Sequence, residues 1–285
     1  MNKKVKNRFI AVIAAVITMG VASGSAMART VEVPLPGPGD FTTIISNQYW
    51  PLPVGATFAY MAETEDGCEY NKLTVTSDTY EIDIDGAPYT TLIVRDQEWE
   101  SEDCDPLTAT LAEDTHDFYA MDSDKNVWYF GEDTWSIDDE SETDPPACTE
   151  DGAWLAGEEG AEAGIVMLGS PTSGDRYRQE YWEDEAEDWG AVLRLNAKVS
   201  NDYLDFEFED CLMTREWTPL EPGEVEHKFY CPQDGNSGPG LMFIEELKGK
   251  TVYVEYVGPG PFGAPGEFLA FPALEAVGSC IMPVE

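Results

Sequence analysis

Histidine is almost missing from this chain of 285 residues: there are two, His116 and His227. That leaves little imidazole for a Cys/His zinc site, so metal or redox chemistry at the cysteines is the weaker reading. Basic side chains are also scarce, 16 Lys and Arg against 56 Asp and Glu, and the formal charge is −40. Nucleic acid and anionic lipid are therefore poor partners, because their phosphates meet repulsion. Long apolar runs are absent after residue 28, where acids, Pro or Gly interrupt each one short of the about 20 residues a spanning helix needs. No CxxC, GxSxG, HExxH or Walker loop occurs, so the main hydrolase and nucleotide-binding signatures are missing.

What is present begins with Lys3, Lys4, Lys6 and Arg8, an apolar run from Phe9 to Val21, and small residues ending Ala26-Met27-Ala28. This reads as a secretory signal peptide over 1–28, with cleavage expected after Ala28 and a periplasmic or extracellular destination. Those four cations belong to the leader, so the rest of the chain sets 12 basic residues against all 56 acids. Hydrophobic residues at 42% and aromatics at 12% nevertheless supply a core that a disordered acidic chain would lack.

Residues 29–46, with Pro34, Pro36, Pro38, Gly37 and Gly39, read as an extended arm. A β domain is expected over 47–257 and a Gly/Pro-rich tail over 258–285, tied to the domain. Short β-prone runs are predicted at 57–64, 69–76, 89–99, 115–121, 127–131, 176–181, 191–199, 202–207, 211–217, 225–231 and 251–257. Helix is expected almost nowhere; the carboxylates of 183–189 repel one another at helical spacing. Connections such as Asp85-Gly86 and Glu221-Pro222-Gly223 are too short for parallel crossovers. The fold class is therefore all-β and mainly antiparallel: a meander forming a curled sheet, sandwich or partly open barrel, with disulfides and long acidic loops; 138–162 and 258–267, acidic or Gly/Pro-rich, read as long surface loops.

All six cysteines follow the leader, and an even number in an exported chain reads as disulfides. Cys211 and Cys231 are equidistant from Glu221 and should face each other across a hairpin. Cys68 and Cys104 flank neighbouring strands and form the next pair, which leaves Cys148 with Cys280 by elimination.

Four constellations could carry chemistry. Asp122, Asp124 and Asn126 place oxygens at alternate positions of a turn, with Glu132 and Asp133 following, so Ca²⁺ is the expected ion. Val127 occupies the position where an EF-hand needs Gly and β-prone runs flank the segment, so an Asp/Asn-rich hairpin turn explains it better than an EF-hand, leaving a calcium site of another kind. Glu180, Glu183, Asp184, Glu185, Glu187 and Asp188 mix with Trp182 and Trp189, the material of a sugar cleft or a glycosidase carboxylate pair. His116 and His227 stand beside carboxylates, but strand alternation points sequence neighbours to opposite faces. Gly258, Gly260 and Gly263 fit GxGxxG formally, yet the prolines between them oppose the helix such a site needs.

The stretches Asn47–Gly55, Asp117–Glu132, Arg176–Glu180, Glu216–Gly223 and Glu226–Tyr230 together resemble a broad set of secreted or periplasmic bacterial proteins. That resemblance implies an exported β domain and transfers no catalytic residue. The chain departs from the pattern at Lys125, where glycine is common, and in its cysteines. The expected function is a non-enzymatic extracytoplasmic binding or structural protein with a cation as partner. A carbohydrate-interacting protein or glycoside hydrolase, and a carrier of an apolar ligand, are the alternatives.

Overall fold

The computed structural model describes residues 29–138, 147–149, 152–232, 240–247 and 251–258. The leader, nearly all of the tail and the partner Cys280 fall outside those residues, so the Cys148–Cys280 pairing does too. The predicted all-β class is what the chain adopts; among the described residues the one helical element is a 3-10 turn at Pro38–Asp40.

Thirteen strands carry the architecture: β1 Thr57–Glu63, β2 Cys68–Ile84, β3 Ala87–Ser101, β4 Thr110–Asp122, β5 Val127–Asp138, β6 Glu162–Met167, β7 Asp175–Arg178, β8 Glu180–Tyr181, β9 Trp189–Asn201, β10 Phe206–Trp217, β11 Glu226–Tyr230, β12 Leu241–Glu246 and β13 Val252–Tyr256. Each pairs antiparallel with its neighbours. β7 and β8, separated by Gln179, serve as one strand between β6 and β9. The last strand then returns to the first, with Val254 opposite Ala62 and Tyr256 opposite Tyr60. Where the sequence left a curled sheet, sandwich or partly open barrel, the pairings close into a barrel.

Local chemistry explains most joints. The β2–β3 turn uses Asp85 and Gly86, both at positive φ (55° and 82°), the combination that matches a hairpin's twist. Asp83 Oδ1 accepts from the Gly86 N–H at 2.8 Å. Gly131 was expected to end its strand, but β5 continues to Asp138. There the glycine makes a bulge at φ 127°, where a Cβ would lie 2.1 Å from the Trp154 carbonyl oxygen. The expected strand over 202–207 is corrected as well: Asp202–Asp205 form the β9–β10 turn, and pairing resumes at Phe206. β6 and β12 escaped the sequence reading because glycine interrupts one and glycine- and proline-rich segments frame the other.

The two disulfides within the described residues are the expected ones, Cys68–Cys104 and Cys211–Cys231. Leu212 pairs with Tyr230 and Glu216 with Glu226, the register the hairpin argument required. The proline-rich arm is drawn onto the barrel. Arg29 and Thr30 run parallel to β7, the sole parallel pairing among the described strands, and Phe41–Thr42 pairs with β4. Phe41 packs edge-on against Tyr89, Trp128 and Phe130, while Trp50 packs against Tyr119.

Candidate functional site: a carboxylate-lined interior

Residues opposite each other in an antiparallel ladder share a face. Following the rungs from Tyr256 through Tyr60, Asn71, Glu98 and Glu113 to Ser136 traces one face across six strands. Two and four residues further along β3 the same face carries Asp96 and Val94, opposite Thr115 and Asp117, with Glu132 opposite Asp117. Across the ring it carries Gly190, Glu216, Glu226 and Glu246 on one rung, and Thr214, Lys228 and Ile244 on the next. Lys228 interacts electrostatically with Glu180 and Asp188 as well as with Glu216 and Glu226, and Glu69 with Glu246, contacts that span non-adjacent strands. This face is the barrel's interior.

The interior holds many carboxylates and few donors. Asp96 accepts from Asn71 Nδ2 at 2.7 Å, and Glu113 accepts from Thr115 at 3.0 Å and Ser136 at 3.2 Å. Tyr129 Oη lies 2.8 Å from Asp117 Oδ1 and 2.7 Å from Glu132 Oε2. One hydroxyl supplies one proton, so satisfying both contacts requires a carboxyl proton on Asp117 or Glu132. Burial pushes Asp96 and Glu132 up to about 7. Burial, followed by repulsion from neighbouring acids, raises Glu98, Asp117 and Glu180 well above the carboxylate range. Lys228 reaches Glu216 at 3.0 Å and Glu226 at 3.3 Å. Burial works to lower its pKa, but those two carboxylates outweigh it and hold the ammonium charged. Tyr177 Oη, influenced by both Glu216 and Lys228, is buried without a hydrogen-bond partner among the described residues.

Glu69 and Glu100 share a rung on this face and line a pocket of about 460 Å³ with Asp66, Glu102 and Asp103, beside the Cys68–Cys104 bridge. Burial and the neighbouring Glu100 and Asp66 raise Glu69 to about 6. The pocket has no basic lining residue and falls in the size range of small-ligand sites.

The residues singled out in the sequence are dispersed. Asp122 Oδ1 accepts from the N–H groups of Asp124 and Asn126, and its Oδ2 accepts from Asn126 Nδ2 and Trp128 Nε1. Asn126 Oδ1 accepts from the Gly169 N–H. These oxygens organise a hairpin turn, while Asp124 is exposed. Glu132 faces the interior opposite Asp117, and Asp133 lies one residue on, opposite His116. Among the described residues, no three His, Cys, Asp or Glu side chains converge to hold a metal ion.

The 180–189 run is split in the same way. Glu180 and Asp188 belong to the interior set, Glu183, Asp184 and Glu185 are exposed on a turn, and Trp189 packs with Trp217. His227 Nδ1 meets Glu245 Oε2 at 3.0 Å across the strands, a partner invisible from the adjacent Glu226. The interior carboxylates Asp96, Glu98, Glu113 and Asp117 were missed altogether. Their available signal was acids at alternate positions of β3, Asp96, Glu98 and Glu100, beside Glu113 and Asp117 on β4.

No family model and no curated protein matches the chain. One solved structure that does is a candidate exported protein with a YmcC-like fold from Bacteroides fragilis. It is 14% identical, the alignment covers 73% of this chain and 97% of that one, and the TM-score is 0.38. No helix among the described residues is long and apolar enough to cross a membrane.

Proposed function

We propose that this is an exported, non-enzymatic binding protein that takes a cationic ligand into the acid end of its barrel. The observation behind this reading is the interior wall itself: Glu69, Asp96, Glu98, Glu113, Asp117, Glu132, Glu180 and Asp188 follow one another along it as electrostatic neighbours, with Lys228 already committed to Glu216 and Glu226. Raised pKa values are the mark of carboxylates left without counter-charge, and a cation supplies that charge. Hard oxygen donors suit Ca²⁺. The spread of the carboxylates over several strands also suits an elongated amine, whose separate ammonium groups can meet separate acids.

The test is thermal melting of the mature protein at fixed ionic strength with Ca²⁺, Mg²⁺ or spermidine, for the wild type and for Glu98→Gln with Glu113→Gln. A ligand bound only by the folded state raises the melting temperature by mass action. Ca²⁺ or spermidine should raise it more than Mg²⁺, and the double variant should lose that difference. Identical responses to all three cations in both proteins would overturn the reading.

A further inference from the structure

Three of the six arginines after residue 28 gather on one outward patch. Arg178, Trp189 and Trp217 share a rung of β7, β9 and β10, and Arg176, Ala191 and Arg215 share the rung two residues away. The Arg178 guanidinium lies 4.1 Å from the Tyr181 ring centre and 5.5 Å from that of Trp189. Arg176 lies 5.7 Å from Trp189 and 5.0 Å from Trp217, and Arg215 lies 5.2 Å from Trp217. The two indoles are near-parallel, 6.4 Å apart. Cation–π contact thus fixes an alternating row of aromatic and guanidinium groups.

Arg178 has one ion-pair partner, Glu162 at 3.5 Å, an exposed carboxylate. Among the described residues neither Arg176 nor Arg215 has a carboxylate within ion-pair distance. Two arginines with no ion-pair partner among the described residues are positioned by rings rather than by charges. Guanidinium forks held this way keep N–H donors for planar anions.

We propose that this patch docks an extended acidic segment of a partner protein, with carboxylates at alternate positions. Same-face side chains of an extended strand recur about every 6.7 Å, the repeat on which Arg176 and Arg178 stand two residues apart along β7. A glycan fits less well, because the guanidinium groups already lie against the ring systems on which a sugar would stack. The chain's overall negative field repels acidic ligands in general, so only one whose carboxylates match the row gains enough to remain.

The experiment is fluorescence anisotropy of a labelled peptide of alternating glutamate and threonine at physiological ionic strength. A peptide of the same composition with its glutamates in one block, and polygalacturonate as competitor, are the comparison arms. The alternating peptide should bind better than the block peptide. Arg215→Gln, at an exposed position, should weaken it about tenfold, and Arg215→Lys should weaken it less by keeping the charge while losing the fork. The proposal is overturned by absence of peptide binding, by equal binding of both peptides, or by binding unaffected by either variant. Arg215-dependent binding of polygalacturonate without peptide binding would make the patch a glycan surface and overturn it equally.

Discussion

The turn at Asp122 and the interior at Asp117 lie on one strand, yet they treat a carboxylate in opposite ways. At Asp122 each oxygen receives two N–H donors, and the side chain spans the turn as a structural clamp. At Asp117 the nearest partners are a tyrosine shared with Glu132 and further acids. The first arrangement stabilises the fold, whereas the second costs stability that the surrounding barrel must supply. Acids with few donors inside a folded domain leave room for a counter-charge.

The largest expected effect lies on the satisfied side. Asp122→Ala removes four acceptor contacts and strands the Trp128 indole N–H and the Asn126 N–H. It should cost about 3 to 4 kcal/mol in chemical denaturation. A loss below about 1 kcal/mol would show that the turn holds itself and would remove the contrast. Cys211→Ser with Cys231→Ser opens a crosslink between residues 20 apart in sequence and should cost about 3 kcal/mol.

The acid interior makes a prediction of opposite sign. Asp96, Glu132 and Glu246 titrate near 7 in the folded protein, against ordinary values of 3.8 and 4.5. Between those limits the folded state holds more protons than the unfolded chain, so stability falls as pH rises through that window. Without ligand, the melting temperature should be higher at pH 5 than at pH 8. The opposite order would mean that the interior acids are already matched by donors. Glu98→Gln sharpens the same point: it should stabilise slightly at pH 8, by about 1 kcal/mol or less, and do little at pH 5.

A smaller effect tests the turn from its backbone. Lys125 stands at φ 67°, in the left-handed region. Lys125→Gly should therefore gain about 0.5 to 1 kcal/mol in urea denaturation, less the entropy that glycine adds to the unfolded chain. A loss would show that the lysine side chain, not the backbone, matters at that corner.

The class of the fold, two disulfides and the Cys211–Cys231 register were legible because they depend on local quantities: alternation, turn residues and equal spacing about Glu221. Glycine at the position of Lys125 in resembling proteins also fits its positive φ. Closure of the barrel was not legible, because it depends on a pairing between β1 and β13 that no short-range pattern encodes. The interior acids were hidden for a related reason. Asp96 and Glu98 look like solvent-facing strand positions until the ring closes and makes their face the inside. The turn at Asp122 showed its oxygens in sequence, but not that backbone N–H groups already occupy them.

Because Ala62 finds its partner in Val254, the barrel has a seam between its first and last strands. A chain synthesised from its N-terminus presents β1 long before β13 emerges. Until then the β1 edge has unpaired N–H and C=O groups, a template for any passing strand. Completion depends on contacts remote in sequence, which form slowly. For this protein, the arrival of β13 sets the moment when the fold can lock, and a chain released short of Val252 would be left with an open, adhesive edge.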